Sequence, residues 1–152
     1  AMLMYMMLKE VTSNEYLPFA GFLIAIFSAL RLAKFNIDER QTADFIGVNT
    51  PMNTFFIFSL PFVAAVYPAL LSSVYTLLLI TLVTSLLLVS ELKLFSMKLS
   101  SLAWVDNKYK YIFLMVAVVL LLFLKVLAIP IIFLLYILFS VLHFKTKPTA
   151  IE

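Results

Sequence analysis

The feature that most restricts the fold is a series of five long apolar runs separated by short polar stretches. The runs cover residues 16–34, 53–71, 74–92, 109–124 and 129–144, and an apolar stub occupies residues 1–8. Of the 152 residues, 64% are hydrophobic and 12% are charged, whereas soluble domains contain about 45–50% apolar and about 25% charged residues. A soluble chain of this length exposes too much surface to hide so much apolar area. The sequence therefore predicts a membrane protein.

Each run approaches the length of about 20 residues that an α-helix needs to cross the hydrocarbon core. Strands are excluded from such spans, because an open sheet edge leaves backbone groups unpaired in lipid. We therefore predict one all-α transmembrane domain over residues 1–152, a polytopic helical bundle of about five transmembrane helices. Ser72 and Ser73 predict a hairpin between the second and third spans, and Pro61 and Pro68 predict kinks.

Residue counts exclude several kinds of site. The chain has no cysteine, so a disulfide, a thiol nucleophile and a cysteine-based zinc site are excluded. His143 is the only histidine, and Gly21 and Gly47 are the only glycines, so neither a histidine metal cluster nor a glycine-rich phosphate loop can form. The net charge of +3 is typical of the basic cytoplasmic loops of membrane proteins. We therefore expect no nucleic-acid partner.

The basic residues divide unequally between the two sides if the five spans alternate in direction. One side receives only Lys9 and Lys125. The other side receives nine residues: Arg31, Lys34, Arg40, Lys93, Lys98, Lys108, Lys110, Lys145 and Lys147. Because basic residues accumulate in cytoplasmic loops, we predict a multi-pass protein of the cell inner membrane with a cytoplasmic tail at residues 145–152.

The stub at residues 1–8 is apolar but too short to cross a membrane. No basic region precedes it and no small-residue cleavage site follows it, so it is not a signal peptide. We interpret it as the remnant of a truncated sixth helix, and we expect the chain to be the C-terminal part of a longer protein.

Polar residues collect at the predicted cytoplasmic ends of the first two spans. Arg31 and Lys34 are three positions apart and share a helix face, and Asn36 follows them. Two cations and an amide can hold a carboxylate or a phosphate, although an ordinary positive-inside anchor explains the same residues. Thr50 and Asn53 lie at the start of the next span, where a helix cap competes with a binding role.

Other charged or aromatic residues have simpler interpretations. Asp38, Glu39 and Asp44 match no metal motif and are interpreted as solvated loop charges. Glu91 and Lys93 are interpreted as anchors at a helix end. The segment 95–104 is predicted to lie on the inner membrane surface, with Trp104 as an interfacial anchor.

Residues 29–36 (ALRLAKFN), followed by Phe45-Ile46-Gly47 and Thr50-Pro51, resemble the bacterial CDP-diacylglycerol–serine O-phosphatidyltransferases. These phosphatidylserine synthases belong to the CDP-alcohol phosphatidyltransferase superfamily. Residues 95–98 (FSMK), Trp104 and residues 107–114 also resemble the C-terminal part of such enzymes. The resemblance covers nearly the whole chain in order.

The chain departs from the family in two respects. The superfamily signature D-x2-D-G-x2-A-R-x8-G-x3-D-x3-D, whose aspartates hold the divalent metal, is absent from these 152 residues. The resemblance therefore implies that no catalytic residue and no metal ligand lies in this chain, and that the motif lies upstream on the cytoplasmic side. Asn49 stands where the family usually has proline, and we expect this change to loosen the turn.

The resemblance implies a role in phospholipid biosynthesis. The serine hydroxyl attacks the β-phosphate of CDP-diacylglycerol, CMP leaves and phosphatidylserine forms, with Mg²⁺ or Mn²⁺ as the cofactor. CDP-diacylglycerol, L-serine and membrane lipids are the implied partners, and a homodimer is the implied assembly. Arg31 and Lys34 would pair with the serine carboxylate or a lipid phosphate, and Asn36, Thr50 and Asn53 would line the same site. We expect the chain alone to be inactive.

Two other functions remain open. A different member of the superfamily would use another acceptor alcohol, such as inositol or glycerol phosphate. A non-enzymatic multi-span protein, such as a small transporter or an accessory subunit, is the other alternative, although the near absence of ionisable residues within the runs argues against a path through the bilayer.

Overall fold

The computed structural model describes residues 1–37, 45–96 and 104–146. Within these ranges the chain is mostly helical, which confirms the predicted helical class. The predicted loop acids Asp38, Glu39 and Asp44, most of the predicted surface segment and the end of the tail lie outside the described residues.

Seven α-helices, two short 3-10 helices and two short strands are present in the described ranges. In chain order they are α1 (Met2–Val11), a 3-10 helix (Leu17–Phe22), α2 (Leu23–Ile37), β1 (Phe45–Ile46), α3 (Thr50–Val66), α4 (Pro68–Leu71), α5 (Val74–Val89), β2 (Lys93–Leu94), α6 (Trp104–Leu124), a second 3-10 helix (Lys125–Leu127) and α7 (Ala128–Thr146).

Two helical stretches of the described chain are long and apolar enough to cross a membrane. They are Leu17–Ile37, with a mean hydropathy of 1.6, and Asn107–Lys145, with a mean hydropathy of 3.1. The second stretch reverses direction at Lys125, whose φ is +50°. Its two arms, α6 and α7, pack antiparallel, because Phe113 contacts Phe139 and Tyr109 contacts His143. In each pair the two residues are equally far from Val126 along the chain.

The prediction that the chain contains only helices is wrong, because two short strands lie between the helices. β1 pairs antiparallel with β2, with Phe45 opposite Leu94 and Ile46 opposite Lys93. The backbone N–H of Gly47 extends the contact by donating to the Leu92 carbonyl at 2.8 Å. Both strands lie in the stretches between the predicted spans, to which the argument against sheet edges in lipid does not apply.

Several predicted helix boundaries also need correction, since α6 already begins at Trp104 and α5 already ends at Val89. The predicted span 53–71 is broken, not kinked, because α3 ends at Val66 and Tyr67 has φ −129° and ψ 68° before α4 begins at Pro68. Proline lacks an N–H group and disfavours the helical conformation of the preceding residue. The stub is also longer than predicted, since α1 continues through Lys9 to Val11.

One end of the bundle collects the helix ends that carry basic residues, and we name it the basic end. Lys34 Nζ in α2 donates to the Val89 carbonyl at 3.3 Å, so the C-terminal ends of α2 and α5 meet. The Val48 N–H donates to the Leu87 carbonyl at 3.0 Å, which brings the start of α3 to the same place. The basic residues at this end are Arg31, Lys34, Lys93, Lys108, Lys110 and Lys145.

Lys9 and Lys125 lie at the opposite end of the bundle. Lys9 is in the last turn of α1, and the adjacent Glu10 and Val11 line a cavity of about 150 Å³ with Pro68 of α4. Lys125 occupies the turn between α6 and α7, which is the end remote from Tyr109 and His143. In the described part of the chain, Lys9 and Lys125 therefore lie at one end and the other basic residues at the basic end. This is the grouping that is expected if the five predicted spans alternate in direction.

Two apolar clusters form the core. The first lies among α1, α3 and α5 and includes Met4, Leu8, Ile57, Leu60 and Leu77. The second joins the loops to α6 and α7 and includes Val48, Phe95, Phe113, Phe133 and Tyr136. Phe56 connects them, because it packs against both clusters and its ring centroid lies 4.5 Å from that of Phe133.

Candidate functional site

Arg31 is the charged residue that the helices bury most deeply at the basic end. It lies between one and two turns from the C-terminal end of α2, and only 9% of its surface is exposed. Its Nε and Nη2 atoms are both buried and make no hydrogen bond within the protein. A buried ion without a partner costs several kcal/mol, so an oxygen-bearing group beside Nε and Nη2 would stabilise Arg31.

Three other helices each contribute a buried polar side chain at the basic end. Asn53 of α3, Ser85 of α5 and Ser140 of α7 are 1% exposed or less. Asn53 Oδ1, Ser85 Oγ and Ser140 Oγ have no hydrogen-bond partner within the protein. We name Arg31, Asn53, Ser85 and Ser140 the buried polar centre.

The contacts between helix ends place Arg31 and Ser85 at one level. α2 and α5 run parallel with Lys34 beside Val89, so Arg31, one turn before Lys34, lies beside the turn of α5 that contains Ser85. α3 starts beside Leu87. Because a helix rises about 1.5 Å per residue, Asn53 lies within about one turn of the same level.

Tyr136 of α7 is a buried aromatic residue near the basic end. Its phenol lies within electrostatic range of the guanidinium group, and its hydroxyl donates to the Phe95 carbonyl at 2.8 Å. Arg31 of α2 and Tyr136 of α7 are therefore both buried side chains near the basic end.

Lys34 makes contacts of another kind. Its ammonium group pairs with the carboxylate of Glu91, and it also donates to the carbonyl of Val89 in the last turn of α5. A cation at this position caps the unsatisfied carbonyls of a helix end. Lys34 therefore pairs with Glu91 within the protein. The sequence interpretation treated Glu91 only as an anchor at a helix end and did not include this pair.

The remaining predicted site residues lie at the rim of the basic end. Asn36 is exposed in the last turn of α2, and Thr50 is half-buried as the first residue of α3. Of the five residues predicted to bind a ligand, only Arg31 and Asn53 belong to the buried polar centre.

The expectation that Asn49 loosens the turn before α3 is wrong. Its side-chain Oδ1 accepts a hydrogen bond of 2.8 Å from the Met52 N–H. Asparagine at this position is therefore the N-cap of α3, and it satisfies a backbone donor that proline would leave unsatisfied. The cap fixes where the helix starts, and with it the position of Asn53 one turn later.

Sequence reasoning missed Ser85 and Ser140. α5 carries Thr81, Thr84 and Ser85 on one face of an otherwise apolar run, a spacing of three and four residues that places them together. Thr81 and Thr84 satisfy their hydroxyls by donating to the Leu77 and Ile80 carbonyls at 2.7 Å. Ser85 Oγ makes no such bond and is the unpartnered hydroxyl of this face.

Within residues 1–37, 45–96 and 104–146, no group of three His, Asp or Glu side chains is close enough to hold a metal ion. The implied Mg²⁺ or Mn²⁺ therefore gains no ligand set from the described residues, and it remains a prediction of the resemblance.

Comparison with protein-family models, with curated proteins and with solved structures finds no match to this chain. The resemblance to phosphatidylserine synthases therefore remains a prediction from residues 29–36, 45–47, 50–51 and the weaker segments after residue 95.

Proposed function

We propose that this chain is the acceptor-binding part of a membrane-embedded CDP-diacylglycerol–serine O-phosphatidyltransferase. The observation that carries the proposal is the buried guanidinium of Arg31, with Nε and Nη2 unpartnered at the basic end. The resemblance of residues 29–36 to the family suggests the reaction, and the unpartnered atoms of the buried polar centre are the groups that would bind the acceptor.

The two unpartnered atoms of Arg31 favour a particular ligand group. Nε and Nη2 form one edge of the guanidinium plane, and their N–H bonds point in parallel. This edge matches the two oxygens of a carboxylate or phosphate in a bidentate contact. A ligand with such an anionic group would also remove the free-energy cost of the buried, unpaired charge.

Asn53 Oδ1 favours a ligand that also carries a hydrogen-bond donor. This atom is an acceptor, and it is buried without a partner. An α-amino acid carries a carboxylate for Arg31 and an ammonium group for Asn53, whereas a phosphodiester has no donor. L-Serine has both groups and a hydroxyl as well, so serine is the acceptor that these two residues support best.

We further propose that α2 with its preceding 3-10 helix, α3, α5, α6 and α7 cross the bilayer, and that the basic end is cytoplasmic. The separation of Arg31, Lys34 and Lys145 from Lys9 and Lys125 supports this orientation. α3 and α5 are 17 and 16 residues long, and local thinning of the bilayer accommodates helices of this length.

In this function the residues of the chain bind and orient the acceptor. Arg31 would hold the serine carboxylate and Asn53 the ammonium group, so that the serine hydroxyl faces the cytoplasmic surface. There the hydroxyl would attack the β-phosphate of CDP-diacylglycerol and CMP would leave. The divalent metal would stabilise the pyrophosphate charge when bound, and the described residues offer no group of ligands for it.

The test uses the complete protein reconstituted in vesicles that contain CDP-diacylglycerol. Synthesis is measured at varied L-serine, with inositol and glycerol 3-phosphate as alternative acceptors. We expect Arg31→Ala to raise the KM for serine at least about tenfold, because losing one partner of a buried charge pair costs about 2–5 kcal/mol. Lys125→Ala, at the opposite end, is the matched control and should leave the KM unchanged.

Two results would contradict the proposal. One is an unchanged KM and rate for Arg31→Ala. The other is an upstream reading frame without D-x-x-D-G-x-x-A-R within about 60 residues, the length of three spanning helices. Preference for inositol or glycerol 3-phosphate over serine would assign a different acceptor to the same site.

A further inference from the structure

Three exposed tyrosines mark the end of the bundle opposite to the basic end. Tyr16 precedes the first 3-10 helix, Tyr67 separates α3 from α4, and Tyr75 lies in the first turn of α5. Their exposed fractions are 81%, 57% and 79%. We propose that they form an interfacial belt, which holds this end of the bundle in the carbonyl and headgroup layer of a phospholipid bilayer.

The three residues come to the same end although they are far apart in the chain. Val11 of α1, Pro68 of α4 and Leu77 of α5 line one cavity there. Tyr67 and Tyr75 are close in sequence to Pro68 and Leu77. The Tyr16 N–H donates to Asn14 Oδ1 at 2.8 Å, which fixes the turn between α1 and the 3-10 helix.

The chemistry of the three side chains fits a boundary between lipid and water. Within the described part of the chain, none of the three hydroxyls bonds to another residue of the protein. A tyrosine ring is apolar while its hydroxyl needs a polar partner, so tyrosine accumulates where hydrocarbon meets headgroups. Lipid carbonyls and interfacial water would supply that partner.

The surface changes character at the level of the belt. Toward the basic end, the outward-facing residues are large and apolar, as Ile26, Phe62 and Leu79 show. Away from the basic end, the exposed residues include Leu70 and the charged Lys9, Glu10 and Glu15. The tyrosines therefore lie between an apolar band and a charged edge.

The length of the first span agrees with a belt at this level. A 3-10 helix rises about 2.0 Å per residue and an α-helix about 1.5 Å, so the stretch from Leu17 to Lys34 is about 30 Å long. The hydrocarbon core of a bilayer is also about 30 Å thick. When Tyr16 lies at one boundary, Lys34 lies at the other.

The inference rests on the proposed insertion into the membrane, but it does not depend on the transferase reaction. Trp104 is the only tryptophan, so a Trp104→Phe background permits one tryptophan to be placed at a time. Tyr16→Trp, Tyr67→Trp and Tyr75→Trp are each made in this background in the full chain. The chains are reconstituted in phosphatidylcholine–phosphatidylglycerol vesicles, and circular dichroism checks their helical content.

Tryptophan depth is measured by quenching with lipids that carry a nitroxide at different acyl positions. We expect the three tyrosine positions to lie at one depth, about 15 Å from the bilayer centre, which is half the hydrocarbon thickness. Leu79→Trp is the matched control, because Leu79 is four residues from Tyr75 on the same exposed face of α5. We expect it to lie about 6 Å deeper.

The belt would be overturned if the three depths differed by more than about one helical turn, 5.4 Å, or if aqueous iodide quenched all three as it quenches free tryptophan. Deep quenching of Leu79→Trp in that case would leave the proposed insertion intact. If iodide alone also quenched Leu79→Trp, both the belt and the proposed insertion would be wrong.

Discussion

Lys34 and Glu91 join the C-terminal ends of two parallel helices, α2 and α5. The Lys34 ammonium pairs with the Glu91 carboxylate and donates to the Val89 carbonyl, so one side chain links α2 both to a charge and to a helix end. Because Arg31 lies one turn before Lys34 in α2, this link also fixes the position of Arg31 along the axis of the neighbouring α5.

We expect Lys34→Ala to lower the free energy of unfolding by about 1 kcal/mol. Glu91 is exposed, so the ion pair itself contributes less than about 1 kcal/mol, and capping of the α5 carbonyls adds about 0.3–1 kcal/mol. Unfolding in mixed micelles by increasing SDS measures the change. Lys93→Ala, at an exposed site on β2, is the control and should cost less.

A double-mutant cycle separates the two contributions. Glu91→Gln removes the ion pair but leaves the bond to Val89, so it should cost less than Lys34→Ala. Additive effects of Lys34→Ala and Glu91→Gln would show that the two side chains do not interact, contrary to the structure.

We expect Gly47→Ala to destabilise the loop that connects β1 to α3. Gly47 has φ +76°, and a Cβ there would lie 2.6 Å from the Leu88 carbonyl oxygen and 2.9 Å from that of Ser90. Strain of this kind costs about 1–3 kcal/mol. Gly47→Asn tests the cause, since asparagine tolerates positive φ. If it is as destabilising as alanine, the close approach of α5 is responsible.

We expect Asn49→Ala to cost about 1 kcal/mol, the usual value for a lost N-cap. Asn49→Asp retains an acceptor for the Met52 N–H and should keep the stability within a few tenths of a kcal/mol. Asn49→Pro introduces the residue of the resembling family and should resemble alanine, because it also lacks the acceptor. Equal stability of all three variants would mean that the bond to Met52 contributes nothing measurable.

The helices were predictable because their determinants are local. Long apolar runs and the polar stretches between them predict the existence and order of α2, α3, α5, α6 and α7, but α3 ends five residues before its predicted span and α6 begins five residues before its own. The break at Tyr67 is also local in origin, since it follows from Pro68, but proline alone does not distinguish a kink from a break. That outcome depends on how α4 packs against α5.

The strand pair and the Lys34–Glu91 contact were not predictable in this way. β1 and β2 are two residues each, too short for an alternating pattern, and their pairing follows from the positions of α3 and α5. Of the buried polar centre, Arg31 and Asn53 stand out in the sequence by residue type. Ser85 carries a weaker signal, because a hydroxyl in an apolar helix usually bonds to its own backbone, as Thr81 and Thr84 do.

We expect Arg31→Met to make the unliganded protein more stable while it abolishes binding of the acceptor. Methionine keeps most of the volume of arginine and removes an unpaired buried charge, and replacements of this type raise stability by about 1–4 kcal/mol. Thermal unfolding of the complete protein in detergent, with and without L-serine, measures both effects. Serine should raise the Tm of the unmodified protein and leave that of Arg31→Met unchanged.

Arg31→Lys provides the matched comparison. Lysine keeps the charge but loses the parallel N–H edge, so it should retain the burial cost and give a smaller shift in Tm with serine. A lower stability of Arg31→Met without serine would mean that the guanidinium already has a stabilising partner in the bundle. An equal shift in Tm for Arg31→Met and the unmodified protein would mean that serine binds elsewhere.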